Sequence, residues 1–146
     1  MGDVDLRILA LLGADGRMSY ADLARETGLS TSAMHQRVRR LEQRGVITGY
    51  QAVINARSVG LSLTALIDLT PLDPSAPDDI PQRVEGFGEI EACWSVAGSA
   101  SYVVKVRVAE PADLEDLLAR IRAAAGVSTR TTIVLSTPFE GRPPVL

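Results

Sequence analysis

The sequence has one cysteine and one histidine among its 146 residues. The single cysteine, Cys93, excludes an internal disulfide framework and suits a reducing cytoplasm. The single histidine, His35, has no second histidine with which to share a metal ion, and Cys93 lies far from it along the chain. We therefore expect no metal site. No Ser-His-Asp, Cys-His or phosphate-loop arrangement occurs, so we expect no catalytic residues and no cofactor.

Long apolar runs are also missing. Hydrophobic residues make up 46% of the chain, which suffices for buried cores, but no run approaches the roughly 18 residues of a membrane span. The N-terminus, MGDVDLRILALLGADG, predicts an amphipathic helix carrying acids rather than a signal peptide. We expect a cytoplasmic protein without a membrane partner. Its length allows one ordinary domain or two small ones.

The most informative segment that is present covers residues 19–45 and has the layout of a helix-turn-helix. Ser19 is a good N-cap for a short helix, with the carboxylate of Asp22 close to the same helix end. Gly28 stands where that helix must stop, and Ser30 follows as the N-cap of a second helix. A helix presented in this way fits the major groove of double-stranded DNA. An ordinary helical hairpin of some unrelated bundle is the alternative.

The second helix separates its residues by face. At about 100° per residue, Met34, Val38 and Leu41 form one narrow stripe, which predicts the core side. The other face carries hydrogen-bond formers and arginines, which pair with base edges or with phosphates. The candidates for base edges are Thr31, Ser32, His35, Gln36 and Arg39. The candidates for phosphates are Arg37, Arg40 and Arg44, and the N-cap Ser30 completes the predicted DNA-binding set. A merely solvated helix face is the alternative, for His35 in particular.

The net charge of −3 is unevenly distributed. Residues 1–57 carry eight arginines and six acids, a surplus of +2, whereas residues 58–146 carry seven basic residues and twelve acids. The basic surplus is thus confined to the part that contains the helix-turn-helix, as DNA binding requires. Because the surplus is small, we expect one copy to bind DNA weakly and two copies to act together.

Periodicity predicts an N-terminal DNA-binding domain over residues 1–54. Its first helix covers residues 5–12, with Ile8, Leu9 and Leu12 on the inner face. Residues 46–54 are rich in β-branched and aromatic side chains and predict an exit strand, or two strands bent at Gly49. Residues 55–61 would form a linker.

The remainder alternates strand and helix, which predicts a second domain over residues 62–138. Strands are expected at 63–69, 90–96, 102–108 and 131–135, with a short helix ending at Gly86 and a longer one from Pro111 to the stop at Gly126. The order βαββαβ is that of a ferredoxin-like sandwich. The expected class is therefore α+β: a winged-type helix-turn-helix head, a ferredoxin-like domain, and a loosely held tail at 139–146.

Three segments give the chain a resemblance to the Lrp/AsnC family, the feast/famine regulators of bacteria and archaea. They are DLRILALL at 5–12, the long segment 22–55 from DLARETGLS to YQAVIN, and GVSTRTTIVL at 126–135. The resemblance implies a sequence-specific transcriptional regulator associated with the nucleoid. It also implies dimers formed through the C-terminal sheets, an octamer of four dimers, and an amino-acid effector bound by loops where dimers meet.

The effector-site motif of the family matches this chain only in part. The family turn between the second and third strands reads Gly-Asp-Tyr-Asp or similar, and this chain matches its glycine but lacks both acids and the intervening aromatic residue. Backbone groups of the turn could still hold a carboxylate. The candidate effector residues are Gly98, Ser99, Ala100, Ser101 and Tyr102, with Thr131 and Thr132 from the C-terminal motif. A plain serine-rich hairpin turn is the alternative.

A chain with this layout could have two other functions. An oligomer with DNA-binding heads on its rim could wrap DNA with low specificity, as an architectural protein. Sirohaem decarboxylases also resemble the family, but they rely on histidine and arginine in a tetrapyrrole pocket, and this chain has no histidine outside the predicted DNA-reading helix. We therefore expect a regulator and not an enzyme.

Overall fold

The computed structural model describes all residues, from Met1 to Leu146. The chain forms two compact units. The first combines Met1–Val53 with the tail Phe139–Leu146, and the second consists of Ile54–Pro138. Each unit has its own cluster of buried apolar side chains, so each is described by itself.

The first unit consists of three helices. They are α1 (Asp3–Ala14), α2 (Tyr20–Thr27) and α3 (Thr31–Gln43). Because α1 begins at Asp3 and continues through Gly13, it is longer at both ends than the predicted helix at 5–12. Its Ile8 is fully buried, whereas Leu9 and Leu12 are only partly buried beside it. The rest of this core is Leu23, Ala24, Met34, Val38 and Leu41.

The caps and the turn of the helix-turn-helix are confirmed. The Ser19 hydroxyl accepts a hydrogen bond from the Asp22 backbone N–H at 3.0 Å, and the Ser30 hydroxyl accepts one from the Ala33 N–H at 3.2 Å. Gly28 ends α2 with φ of 71°, in the left-handed region, where a Cβ would clash with the backbone. These local interactions set where α2 stops and α3 begins.

The predicted exit strand at 46–54 is wrong. Residues 48–55 have no regular structure, and the predicted linker contains a 3₁₀ helix, Ala56–Val59, whose N-terminus is capped by the Asn55 side chain. Val46 and Ile47 instead donate their backbone N–H groups to the Leu41 carbonyl. β-Branched residues favour a strand only where a partner strand completes the hydrogen bonds, and the first unit contains no strand.

The second unit contains a four-stranded antiparallel sheet in the order β2-β3-β1-β4. Its elements are β1 (Leu63–Pro71), α4 (Ile80–Val84), β2 (Ile90–Ser95), β3 (Tyr102–Val108), α5 (Pro111–Ala125) and β4 (Val127–Val134). This arrangement confirms the predicted βαββαβ sandwich. β4 begins directly after Gly126, four residues before the predicted start at Thr131, because residues 127–130 pair with the end of β1.

The core of the second unit lies between the sheet and its helices. Ala65, Ile67 and Leu69 alternate along β1 as buried residues, and Leu117 and Ile121 of α5 are fully buried in the same cluster. One face of the sheet is therefore covered by helices, as alternation in a half-buried sheet requires. None of the helices combines the length and apolarity needed to cross a membrane.

Candidate DNA-binding surface and effector cavity

The outer face of α3 is a continuous polar and cationic surface. Met34, Val38 and Leu41 are buried on the opposite side, so packing against α1 and α2 determines which residues point outward. The exposed residues on this surface are Thr31, Ser32, His35, Gln36, Arg39 and Arg40, with Arg44 just after the helix. Seven of the nine residues predicted to contact DNA therefore share one exposed surface.

Three arginines of this surface have unoccupied guanidinium groups. No hydrogen bond or ion pair within the chain involves the side chains of Arg39, Arg40 or Arg44. Arginine presents up to five N–H donors in a planar fork that matches guanine edges and phosphate oxygens. These donors are thus available to an external acceptor.

Ser30 is engaged within the protein. Its hydroxyl caps α3 and also lies 3.3 Å from the Ser32 hydroxyl. Ser30 therefore has a structural role at the start of α3, and its expected contact with DNA stays a prediction.

His35 lies against another aromatic ring. The ring centroids of His35 and Tyr20 are 3.8 Å apart, with an interplanar angle of 33°. The contact joins the first turn of α2 to α3 and restricts the imidazole on the exposed surface. Its partner Tyr20 is a residue that the sequence analysis did not identify.

Arg37 differs from the other arginines of α3. Its guanidinium donates to the Asp5 carboxylate of α1 at 2.9 Å, and both side chains are partly buried. This hydrogen bond gives Arg37 a structural role, because it joins α3 to α1. The expected contact of Arg37 with phosphate stays a prediction. Spacing within one helix could not reveal a partner 32 residues away.

A second contact missed by the sequence analysis follows α3. The Tyr50 hydroxyl donates to the Glu42 carboxylate at 2.9 Å. Burial, together with this hydrogen bond, raises the pKa of Tyr50 to about 12. The hydrogen bond fastens the segment that leaves α3 to the last turn of the helix.

A cavity with a volume of about 610 Å³ lies at one end of the sheet of the second unit. One wall comes from the loop between β1 and α4, and the other from the hairpin between β2 and β3, with Ala125 and Gly126 beside them. Four predicted effector residues line it: Gly98, Ala100, Ser101 and Tyr102.

The three other predicted effector residues do not line this cavity. Ser99 is exposed at the tip of the hairpin. Thr131 and Thr132 lie in the middle of β4, where they pair with Ile67 and Leu66 of β1. Because β4 begins at Val127 and not at Thr131, the residue that reaches the cavity is Gly126, and the two threonines lie farther along the strand.

Acidic residues on the loop wall were also missed. Asp73, Asp78 and Asp79 line the cavity. Asp78 accepts a hydrogen bond from the Tyr102 hydroxyl at 2.7 Å, which raises the pKa of Tyr102 above its ordinary value. All three acids lie in the segment DPSAPDD at residues 73–79, which the sequence pattern predicted only as a loop.

Backbone groups of the hairpin complete the cavity. The Ser101 N–H donates to the Leu69 carbonyl, and its carbonyl accepts from the Val96 N–H. The N–H groups of Gly98, Ser99 and Ala100 have no acceptor within the chain. The cavity is therefore lined by the carboxylates of the loop and by a hairpin in which the Gly98 and Ala100 amides have no acceptor within the chain.

No group of three or more histidine, cysteine, aspartate or glutamate side chains is placed to hold a metal ion. Cys93 is an exposed free thiol in β2.

Comparison with known proteins identifies both units. Residues 1–48 match the family described as winged helix-turn-helix DNA-binding, and residues 63–144 match the Lrp/AsnC ligand-binding domain. The chain is similar to the HTH-type transcriptional regulator LrpA of Mycobacterium tuberculosis, at 53% identity over 97% of this chain and 95% of the relative. It is 36% identical to the leucine-responsive regulatory protein of Escherichia coli, over 90% and 83% of the two chains.

A solved structure adds a ligand to the comparison. The feast or famine regulatory protein of M. tuberculosis, complexed with L-methionine, superposes with a TM-score of 0.97 at 52% identity, covering 99% of this chain and 98% of that one. Together with the capped helix-turn-helix and the antiparallel βαββαβ unit, these matches show that the chain is an Lrp/AsnC-family transcriptional regulator.

Proposed function

We propose that this regulator binds duplex DNA through the outer face of α3 and that an α-amino acid, bound in the cavity of the second unit, modulates that binding. The proposed DNA binding is supported by the unpaired side chains of Arg39, Arg40 and Arg44, which lie on or just after a helix whose opposite face is buried. The proposed amino-acid binding is supported by the cavity, whose lining includes acidic residues and the hairpin between β2 and β3.

On DNA, the residues divide into two roles. Thr31, Ser32, His35, Gln36 and Arg39 lie toward the N-terminal end of α3 and would contact base edges, because that end of a recognition helix reaches deepest into the groove. Arg40 and Arg44 follow later and would contact phosphates, which adds affinity without sequence preference. Arg37 would remain paired with Asp5 and stabilise α3 on the side that packs against α1.

The cavity suits a zwitterion. The Asp78 carboxylate accepts from Tyr102 through one oxygen, which leaves the other for an ammonium group. The N–H groups of Gly98 and Ala100 would bind the carboxylate, as backbone donors within one turn do for anions. In this proposal Asp78 takes the place of the acids missing from the hairpin turn.

The rest of the lining favours an apolar side chain. Leu72, Ile80 and Val96 line the cavity together with several prolines. Its volume of about 610 Å³ lies within the range of about 300–1,000 Å³ typical of small-molecule sites. The relative bound to L-methionine supports the same ligand class, and methionine is the first amino acid to test.

We further propose that the protein works as a dimer and a larger assembly of dimers in the cytoplasm, associated with the nucleoid. The support is the small positive surplus of residues 1–57, because two linked heads bind more tightly than one through a raised effective concentration. A monomer in solution at the concentrations that saturate DNA would contradict this proposal.

The DNA-binding proposal is tested by selecting binding sequences from a random duplex library and measuring affinity for the selected and unselected duplexes. We expect a preference of at least about 1,000-fold at physiological salt, the lower end for specific binders. Equal affinity for both duplexes would instead indicate an architectural protein that wraps DNA without reading it.

The effector proposal is tested by calorimetry with the twenty amino acids, first on the wild type and then on Asp78→Asn. The variant keeps a hydrogen-bonding side chain at 78 but loses the charge, so it should lose affinity for the ammonium group by about tenfold or more, given roughly 1.5–3 kcal/mol for a charge-assisted bond. Glu115→Gln on the exposed face of α5 is the matched control and should bind normally. Binding unaffected by Asp78→Asn would remove the cavity from the proposal.

A further inference from the structure

Tyr20 is held in place by the core of the first unit. It is the first residue of α2, directly after the N-cap Ser19, and its side chain is partly buried against the cluster of apolar core residues. It also lines a small cavity of about 210 Å³ together with Leu23, Val38 and Tyr50. The position of the Tyr20 ring is therefore set by packing and not by the exposed face of α3.

The Tyr20 ring restrains the imidazole of His35. The two ring centroids are 3.8 Å apart and the interplanar angle is 33°, so the rings lie closer to parallel than to perpendicular. His35 itself belongs to the exposed side of α3, where a side chain without such a neighbour would change rotamer freely. A residue of α2 thus limits the orientation of a residue on the surface that we propose contacts DNA.

The imidazole nitrogens remain available. Neither nitrogen of His35 has a hydrogen-bond partner within the chain. A neutral imidazole has one N–H donor and an imidazolium has two, so the ring can donate in either state. Both purines present the acceptor N7 at their major-groove edge, and the pyrimidines lack that nitrogen. A restrained imidazole with a free N–H is therefore suited to a purine.

We propose that Tyr20 is a positioning residue, which orients His35 to donate a hydrogen bond to N7 of a purine in the major groove. This inference rests on the proposed binding of DNA by α3. Because the imidazole is ordered before DNA arrives, less side-chain entropy is lost on binding. Tyr20 acts through His35 and does not contact DNA itself.

The ring contact is tested first without DNA, in the full-length chain. His35 is the sole histidine, so the imidazole signals of a protein with isotope-labelled histidine belong to it alone. An aromatic ring over its face shields the imidazole protons. Tyr20→Leu, which keeps an apolar side chain of high helix propensity, should move these signals downfield, toward their position in the urea-unfolded wild type. Tyr20→Phe keeps the ring and should leave them near the folded wild type.

The second measurement uses a duplex selected by the wild type, in which each purine in turn is replaced by its 7-deaza analogue, which lacks only N7. We expect one purine at which this change weakens wild-type binding roughly two- to tenfold, as the loss of one neutral hydrogen bond would. The same change should not affect His35→Ala. At that purine Tyr20→Leu should lose most of the effect and Tyr20→Phe should keep it, while both bind random duplex like the wild type.

The outcomes separate this inference from the proposed function. A wild type without preference for the selected duplex would reject base reading by α3 altogether. If the preference exists, an N7 effect of equal size in Tyr20→Leu and the wild type would overturn the role of Tyr20 alone. Weaker binding of Tyr20→Phe to all duplexes would also overturn it, because the Tyr20 hydroxyl would then contact phosphate directly. Identical imidazole signals in the folded and the urea-unfolded wild type would contradict the ring contact itself.

Discussion

Arg37 of α3 and Asp5 of α1 form an ion pair in which the guanidinium nitrogen lies 2.9 Å from the carboxylate oxygen. The pair joins α1 to α3 behind the exposed face of α3. It also separates one arginine from the three whose side chains have no partner in the chain. Arginines that look equivalent in the sequence therefore differ in their side-chain contacts.

Removing this pair should destabilise the first unit without changing its charge interaction with DNA. Arg37→Ala is expected to lower the free energy of unfolding by roughly 1 kcal/mol, near the upper end for partly exposed pairs. The salt dependence of DNA binding should stay as in the wild type. Arg40→Ala is the matched comparison, and its unfolding should be unchanged. A double-mutant cycle with Asp5→Asn, read by urea denaturation, checks that the two side chains act on each other.

Base reading and phosphate binding should separate in mutants. Gln36→Ala and Arg39→Ala should each relax sequence preference at one position of the half-site, with a loss of about 1–3 kcal/mol of discrimination. Arg40→Ala and Arg44→Ala should weaken binding to all sequences and reduce the slope of log K against log salt by about one. Affinity is measured on selected and random duplexes at several salt concentrations. Equal losses on both duplexes in all four variants would show that none of them reads bases.

The Tyr102–Asp78 hydrogen bond predicts that the second unit loses stability at alkaline pH. The bond raises the pKa of Tyr102, so its contribution to stability is complete below the ordinary tyrosine pKa and is lost as pH rises through the raised value. Asp78→Asn removes the negative charge and should lower the pKa of Tyr102. Ultraviolet titration of the tyrosinates, with Tyr102→Phe to assign the signal, measures the shift. An unchanged Tyr102 titration in Asp78→Asn would refute the contact.

The turn of the helix-turn-helix should depend on the conformation of Gly28 and not on space around it. A Cβ at Gly28 meets nothing within 4 Å, but its φ is 71°. Gly28→Ala is therefore expected to cost about 1–2 kcal/mol, the penalty for an L-residue in the left-handed region, whereas Gly28→Asn should cost less. Gly49→Ala is the control, since Gly49 has neither a positive φ nor a close neighbour. Thermal denaturation that ranks Gly49→Ala beside Gly28→Ala would contradict this explanation.

Much of the fold was predictable because its signals are local. Ser19, Gly28 and Ser30 define the helix-turn-helix through bonds that span only a few residues. The alternation along β1 and the stripe of α5 likewise predict which faces are buried. The order of these elements was sufficient for the βαββαβ sandwich.

The errors came from segments whose structure depends on distant partners. Residues 46–54 have the composition of a strand but no strand beside them. β4 begins four residues early because the end of β1 pairs with it. In the cavity, Asp78 was overlooked because its partner Tyr102 lies 24 residues away.

Helical periodicity and two serine caps are local signals, and they are enough to predict that α3 presents arginine and hydrogen-bonding side chains on one face. Which of those arginines is free depends on the folded chain. Arg37 is bonded to Asp5, because ion pairing depends on proximity in space and not on separation along the chain.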